Sequence, residues 1–260
     1  MQQDNRDICV ERVAGVMWIR LSRPQAMNAL SPAMLDVIGD AIDAAASDDG
    51  VRCVVFVGEG KAFCTGADLS TVPGGESGLE AFVSKASLTM SRIEALEKPV
   101  IVCLNGVTLA GGLELALCAD IVVASASAQI GDGHVNFGLL PGAGGSVRLA
   151  RAIGPGRARY LLYSGLRLSA VDMERWGLVQ QVFDDAEARQ RTAALAERIA
   201  GHSPLVLRQL KALVRSSLGG GIETLLAEEL AANVAHASSR DMQEGLAAFA
   251  EKRKPVFVGR

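Results

Sequence analysis

A single carboxylate, Glu114, stands in an otherwise apolar run, Leu113-Glu114-Leu115-Ala116-Leu117, just after the pair Gly111-Gly112. The run holds good helix formers and no breaker, so it predicts a helix entered through glycine. Glycine at that place lets a ligand approach the backbone closely and leaves N–H groups pointing outward. Such groups can hold an oxyanion. A carboxylate one turn into the helix can then exchange a proton beside it. The plainer alternative is a surface carboxylate near the positive end of a helix; the leucines on either side argue for burial. A second stretch, 58–69, reads Gly-Glu-Gly-Lys-Ala-Phe-Cys-Thr-Gly-Ala-Asp-Leu after a buried strand, and Gly66 admits an unusual backbone angle. Taken alone, Gly66-Ala67-Asp68-Leu69 reads as a turn.

The elements that must position these residues alternate between strand and helix. Residues 8–12 and 16–21 predict two strands joined across Ala14-Gly15. Ser31-Pro32 is a cap and first-turn pair for a helix over 32–46, with Met34, Leu35, Ile38, Ile42 and Ala45 on one face. Residues 51–57 and 100–104 are almost wholly apolar, as in a sheet covered on both faces, and 120–124 predicts a further strand. Residues 70–78 are rich in Gly, Ser and Pro and read as a mobile segment that could gate a site. Residues 80–96 predict an amphipathic helix with Phe82, Val83, Leu88, Met90, Ile93 and Leu96 toward the core. Helices are expected over 146–153, 157–164 and 171–176, and a short strand over 179–183. Helices over 186–200, 203–217, 222–236 and 241–251 follow. The alternation argues an α/β layered fold.

Composition narrows the function classes. Of 260 residues, 49% are hydrophobic and 21% charged, which is ordinary for a globular chain. A formal net charge of -3 leaves no nucleic-acid footprint. The five cysteines, Cys9, Cys53, Cys64, Cys103 and Cys118, form no CxxC and imply neither a disulfide framework nor a zinc site. The first residues, MQQDNRDICVER, carry no apolar signal core, and no apolar run reaches membrane-spanning length. A soluble, cytoplasmic protein is expected. No G-x-S-x-G, H-E-x-x-H, Walker loop or G-x-G-x-x-G occurs, so neither a metal nor a nicotinamide cofactor is expected. His202 and His236 fall in the helical C-terminal part and read as structural or surface residues.

Asn105-Gly106, Gly111-Gly112, Glu114-Leu115-Ala116, Asp120, Phe137-Gly138-Leu139 and Pro141-Gly142-Ala143-Gly144-Gly145 occur in one order. That series resembles the crotonase, or enoyl-CoA hydratase/isomerase, family, and the resemblance covers nearly the whole chain. It implies an α/β fold with a ββα spiral core over 1–195 and a helical C-terminal trimerisation region over 196–260. It implies a homotrimer or homohexamer acting on an acyl-CoA thioester, as in fatty acid metabolism, with coenzyme A as part of the substrate rather than a cofactor. Ala67 and Gly111 would supply the two oxyanion-hole N–H groups. The substrate would lie against Arg23, Ala26, Ala29 and Lys61, against Ala67, Asp68, Leu69 and Gly111, and against Lys252 near the C-terminus. Lys252, Arg253 and Lys254 otherwise form a solvated basic tail. Residues of the 80–96 helix would also line an acyl pocket.

The hydratases of this family set two glutamates across the substrate. Glu114 falls on the first position; the second, twenty residues on, falls on His134, with Asp132 two residues before it. The glutamate pair is therefore absent. With an ordinary pKa of about 6.5, His134 could do acid/base work, bind a carbonyl or carboxylate, or line the pocket. The leading reading is an enoyl-CoA hydratase-type lyase in which Glu114 activates the water and His134 assists. Within the fold the alternatives are thioester or retro-Claisen carbon–carbon hydrolysis and double-bond isomerisation. Outside enzymes, the alternative is a non-catalytic protein that binds acyl-CoA or RNA.

Overall fold

The computed structural model describes residues 3–5, 7–72 and 74–260. β1 (Gln3–Asn5), β2 (Ile8–Val13) and β3 (Val16–Leu21) form an antiparallel meander. The β2–β3 turn places Ala14 at φ 50° and Gly15 at φ 79°, the positive angles that a two-residue hairpin needs to match the twist of its strands. α1 (Pro32–Ser47) opens where Ser31 Oγ accepts the Met34 N–H and Pro32 fills the first turn, and it buries the face expected. β4 (Cys53–Gly58) is buried along its whole length.

From β4 the chain repeats one unit: a strand in a large sheet, a short strand in a second sheet, then a helix. β4 is followed by β5 (Ala62–Cys64) and α2 (Glu76–Ala95); β6 (Val100–Leu104) is followed by β7 (Val107–Leu109) and α3 (Gly111–Ala116). β8 (Ile121–Ser125) leads to β9 (Gln129–Gly131), a 3-10 turn at His134–Phe137 and α4 (Gly145–Ile153). α5 (Pro155–Ser164), β10 (Leu168–Ser169), α6 (Ala170–Trp176) and β11 (Gln181–Phe183) complete the layers. The large sheet runs β1-β2-β3-β4-β6-β8-β11 and is parallel from β3 onward. The small one runs β10-β9-β7-β5 and is parallel except for β10. This is the ββα spiral. α7 (Ala188–Ala200), α8 (Pro204–Ser216), α9 (Ile222–His236) and α10 (Arg240–Glu251) follow.

Alternate side chains of β4 serve two cores. Val54 and Phe56 join α1 and α2; Cys53, Val55 and Val57 meet Ala188, Ala196 and Ala200 of α7. Both faces of the strand are covered, which is why its sequence is apolar without alternation. α8 and α9 bury none of their residues. Asp241 at the start of α10 is buried, accepts from Ser203 Oγ and from the N–H groups of Val258 and Gly259, and so ties the tail to the start of α8. Among the described residues no helix is long and apolar enough to cross a membrane.

One expectation is corrected. Leu88 is exposed, not core: the buried stripe of α2 is Phe82, Ala86, Thr89, Met90 and Ile93, and Leu88 falls on the opposite face. The segment 70–78 holds part of a 3-10 turn at Leu69–Thr71 and the first turn of α2, where Gly78 is buried. Pro73 within it lies outside the described residues.

Candidate active site

The site forms where the chain passes from the large sheet to the small one and on into a helix. At the first such crossing Leu30 and Ala67 form a parallel bridge, in which the Leu30 N–H donates to Gly66 O at 2.7 Å and the Asp68 N–H donates to Leu30 O at 2.9 Å. This uses the groups on either side of Ala67 and turns the Ala67 N–H to the other side. At the second crossing Ala110, at φ 48° and ψ −118°, precedes the helix and gives its N–H to Asp132 O at 2.7 Å. These angles are strained for a residue with a Cβ. Among the described residues neither the Ala67 nor the Gly111 N–H has a backbone partner. The two crossings touch through glycine. A Cβ on Gly111 would lie 3.4 Å from Gly66 Cα and 3.7 Å from Ala67 N, and one on Gly112 would overlap the Cys64 carbonyl. Two buried-side amides brace the loop. Asn28 Nδ2 donates to Glu59 O at 2.9 Å and Ala62 O at 2.8 Å, and Asn105 Oδ1 accepts the Gly58 N–H at 2.8 Å. Asn105 belongs to the motif read from sequence; Asn28, at φ 56°, carried no signal beyond its residue type.

Glu114 is 3% exposed, so the surface-carboxylate alternative is excluded. Its Oε1 accepts the N–H of Ala143 at 2.7 Å and of Gly145 at 2.9 Å. Gly144, at φ 103°, turns the backbone so that both N–H groups converge on one oxygen. The segment 141–145 is therefore a cradle for Glu114, a role its glycines did not declare in sequence. Among the described residues Oε2 makes no hydrogen bond.

His134 opens the 3-10 turn after β9. Its Nδ1 lies 3.0 Å from Asp132 Oδ1 and 3.1 Å from Oδ2, and its backbone N–H donates to Oδ2 at 3.2 Å. Asp132 is 1% exposed and the His134 side chain 14%. Burial pulls the His134 pKa down, but the hydrogen bond and charge of Asp132, with the charge of Glu114, outweigh it, and the net shift is upward. Burial pushes Cys64, behind Gly112, and Cys118, whose thiol donates to Glu114 O, up to about 12, so neither is a ready nucleophile.

Ala67, Gly111, Glu114 and His134 all line one cavity of about 490 Å³. Its apolar wall comes from α2, through Leu79, Phe82, Val83, Ala86 and Met90, and from the segment 137–142. Of the residues expected to hold the substrate, Leu69 also lines the cavity. Arg23, Ala26, Ala29, Lys61, Asp68 and Lys252 lie outside it. Arg23 is paired with Asp68 at 2.8 Å and donates to Ala29 O at 3.2 Å, so it fastens the turn at 26–29 to the loop bearing Ala67. Bonds from Ser70 and the Arg23 charge hold the Asp68 carboxyl below the usual range. Lys61 and Lys252 are exposed.

A family model described as Enoyl-CoA hydratase/isomerase matches residues 11–260. The chain belongs to the enoyl-CoA hydratase/isomerase family. It is 35% identical to the 2,3-dehydroadipyl-CoA hydratase of Escherichia coli over 98% of this chain and 99% of that one. It is 35% identical to the crotonyl-CoA hydratase of Syntrophomonas wolfei, with 98% of each covered. The crystal structure of an enoyl-CoA hydratase from Bacillus anthracis superposes with a TM-score of 0.94 at 35% identity, covering 98% of this chain and all of that one. Within this member of the enoyl-CoA hydratase/isomerase family, the Asp132–His134 pair lies in the same cavity lining as Glu114.

Proposed function

We propose that this protein adds water to an α,β-unsaturated acyl-CoA thioester, with Ala67 and Gly111 as the oxyanion hole and Glu114 and His134 as the proton-handling groups. The observation that carries the reading is that one cavity brings together two unpartnered N–H groups, a buried carboxylate with one oxygen anchored, and a histidine. Attack of water on the β carbon moves charge to the thioester oxygen, where two preorganised donors are each worth about 2.7–4 kcal/mol. Glu114 Oε2 takes the proton from water, and the α carbon receives one from the other side of the site. The chain's own side chains and amides suffice; coenzyme A enters with the substrate. The apolar wall suits an acyl chain, and Arg23, Ala26, Ala29, Lys61, Asp68 and Lys252 are proposed to lie along the nucleotide part.

The division into a core over 1–195 and an assembling region over 196–260 is part of the same proposal. It is supported by the outward apolar side chains Leu210, Val214, Leu226, Leu230, Val234 and Phe249 on α8 to α10. A homotrimer or homohexamer in the cytoplasm is the assembly and place we propose. Loss of the enoyl-thioester absorbance with crotonyl-CoA tests the function. Wild type is expected to turn over, and Glu114→Gln and His134→Ala to lose turnover. If wild type instead releases free thiol without consuming the double bond, the reaction is hydrolysis and the hydratase reading fails.

A further inference from the structure

Asp132 is a buried ionisable group lining the cavity that the hydration scheme leaves unused. Both of its oxygens sit on His134, one of them also taking the His134 backbone N–H, and its backbone oxygen holds the N–H of Ala110, the residue before Gly111. A carboxylate only accepts, so the Nδ1 facing it carries the hydrogen, and Nε2 is the ring nitrogen left for the cavity. We infer that Asp132 is a positioning residue for His134, and that the pair works as an ion couple in which His134 enters as the imidazolium and delivers its Nε2 proton to the α carbon. This deepens the hydratase reading and rests on it.

The electrons balance. Water forms the O–C bond at the β carbon as its proton goes to Glu114 Oε2. The π pair of the double bond shifts to join the α carbon to the carbonyl carbon, and the carbonyl π pair moves to the thioester oxygen, held by Ala67 and Gly111. The carbonyl re-forms as the α carbon takes the Nε2 proton. Glu114 then holds one proton too many and His134 one too few, and transfer between them through water restores the start. Asp132 with imidazolium is net neutral, so facing the Glu114 carboxylate it gives the site one donor and one acceptor, as a carboxyl facing a carboxylate would.

The groups around His134 fix the sign of its pH dependence. Asp132 on its own segment and Glu114 from α3 favour the imidazolium. Arg167, from the turn after α5, lines the same cavity but is exposed and screened. On α5, which packs against the 3-10 turn, Arg157 donates to Trp176 O, and Arg159, Tyr160 and Tyr163 are exposed. Since the protonated form is the working one, kcat/KM falls as pH rises through the His134 pKa, and that alkaline limb lies above the ordinary value of about 6.5.

The chain has three histidines, so ¹⁵N-histidine NMR with His202→Gln and His236→Gln assigns His134 directly, without reference to turnover. Wild type is expected to show the Nδ1–H tautomer when neutral. In Asp132→Asn the titration and the alkaline limb with crotonyl-CoA are expected to move together to lower pH by about one unit or more. kcat is expected to fall about 100-fold with KM nearly unchanged. Should Asp132→Asn fail to fold, the wild-type tautomer and loss of the alkaline limb in His134→Gln decide the matter. An Nε2–H tautomer in wild type, an unmoved limb in a folded Asp132→Asn, or a limb retained in His134→Gln overturns the couple. Wild type that hydrates no enoyl thioester overturns the hydratase reading instead, and the proton-donor role with it; the NMR titration then reports on the Asp132–His134 contact alone.

Discussion

Truncating Glu114 to alanine removes two things that truncating it to glutamine separates. In Glu114→Ala the N–H groups of Ala143 and Gly145, now received by Oε1 at 2.7 and 2.9 Å, lose their acceptor. An orphaned buried donor costs about 1–3 kcal/mol, giving about 2–6 kcal/mol for two. The cavity beside Glu114 admits water, which offsets part of this, so the expected loss is about 2–4 kcal/mol. Glu114→Gln keeps an oxygen at the Oε1 place and is expected to stay within about 1 kcal/mol of wild type. Both changes remove the proposed proton acceptor and should lower kcat at least about 100-fold. Urea unfolding followed by circular dichroism, at one fixed protein concentration, separates the two. Equal midpoints for the two variants would refute the claim that Glu114 holds the 143–145 segment. A Glu114→Gln enzyme of near wild-type kcat would refute its place in the chemistry.

Ala110→Gly relieves the strain at φ 48° and ψ −118° against glycine's greater entropy in the unfolded chain, a net gain of about 1 kcal/mol, while the freed Gly111 N–H lowers kcat; thermal unfolding and turnover measure the two. Gly112→Ala drives a Cβ into the Cys64 carbonyl and to 2.8 Å from Cys64 Cβ, and should destabilise by about 3 kcal/mol or more or leave no soluble protein, read by expression and urea midpoint. Ala86→Phe, on the cavity face of α2, should lower kcat/KM for eight- to ten-carbon enoyl thioesters about tenfold more than for crotonyl-CoA.

α1 and the large sheet beyond β1 were legible because most of their signals are long or chemical, whereas the three-residue β1 carried none. β3, β4, β6 and β8 are apolar runs, and Ser31-Pro32 is a start signal with a mechanism. The small sheet was not, because strands such as Ala62–Cys64, Val107–Leu109 and Leu168–Ser169 are too short to show a period. Glu114 was legible as a carboxylate among leucines. Its cradle was not: the contact from Oε1 to Ala143 and Gly145 joins residues about thirty apart by backbone N–H groups, which every residue but proline has. Asp132 stood two residues before His134 in plain view, yet only the glycine at φ 72° between them folds its carboxylate back onto the ring.

The meeting of Gly66 with Gly111 sets the spacing of the proposed oxyanion donors largely by main chain pressing on main chain. The Ala110 Cβ, 2.9 Å from where a Cβ on Gly66 would stand, is the one side-chain atom among the nearest neighbours of Gly66. The apolar wall, by contrast, is lined mainly by side chains, from α2, from Phe137, Leu139 and Leu140, and from Leu30, Leu69 and Leu109. On the proposed reading the protein thus keeps its oxyanion gauge and its selectivity largely in separate materials. Recutting Leu79, Val83, Ala86 or Met90 is expected to alter which thioester is admitted while the Gly66–Gly111 contact stays unchanged. A scaffold divided in this way lends itself to diversification, in nature or in the laboratory, one wall residue at a time.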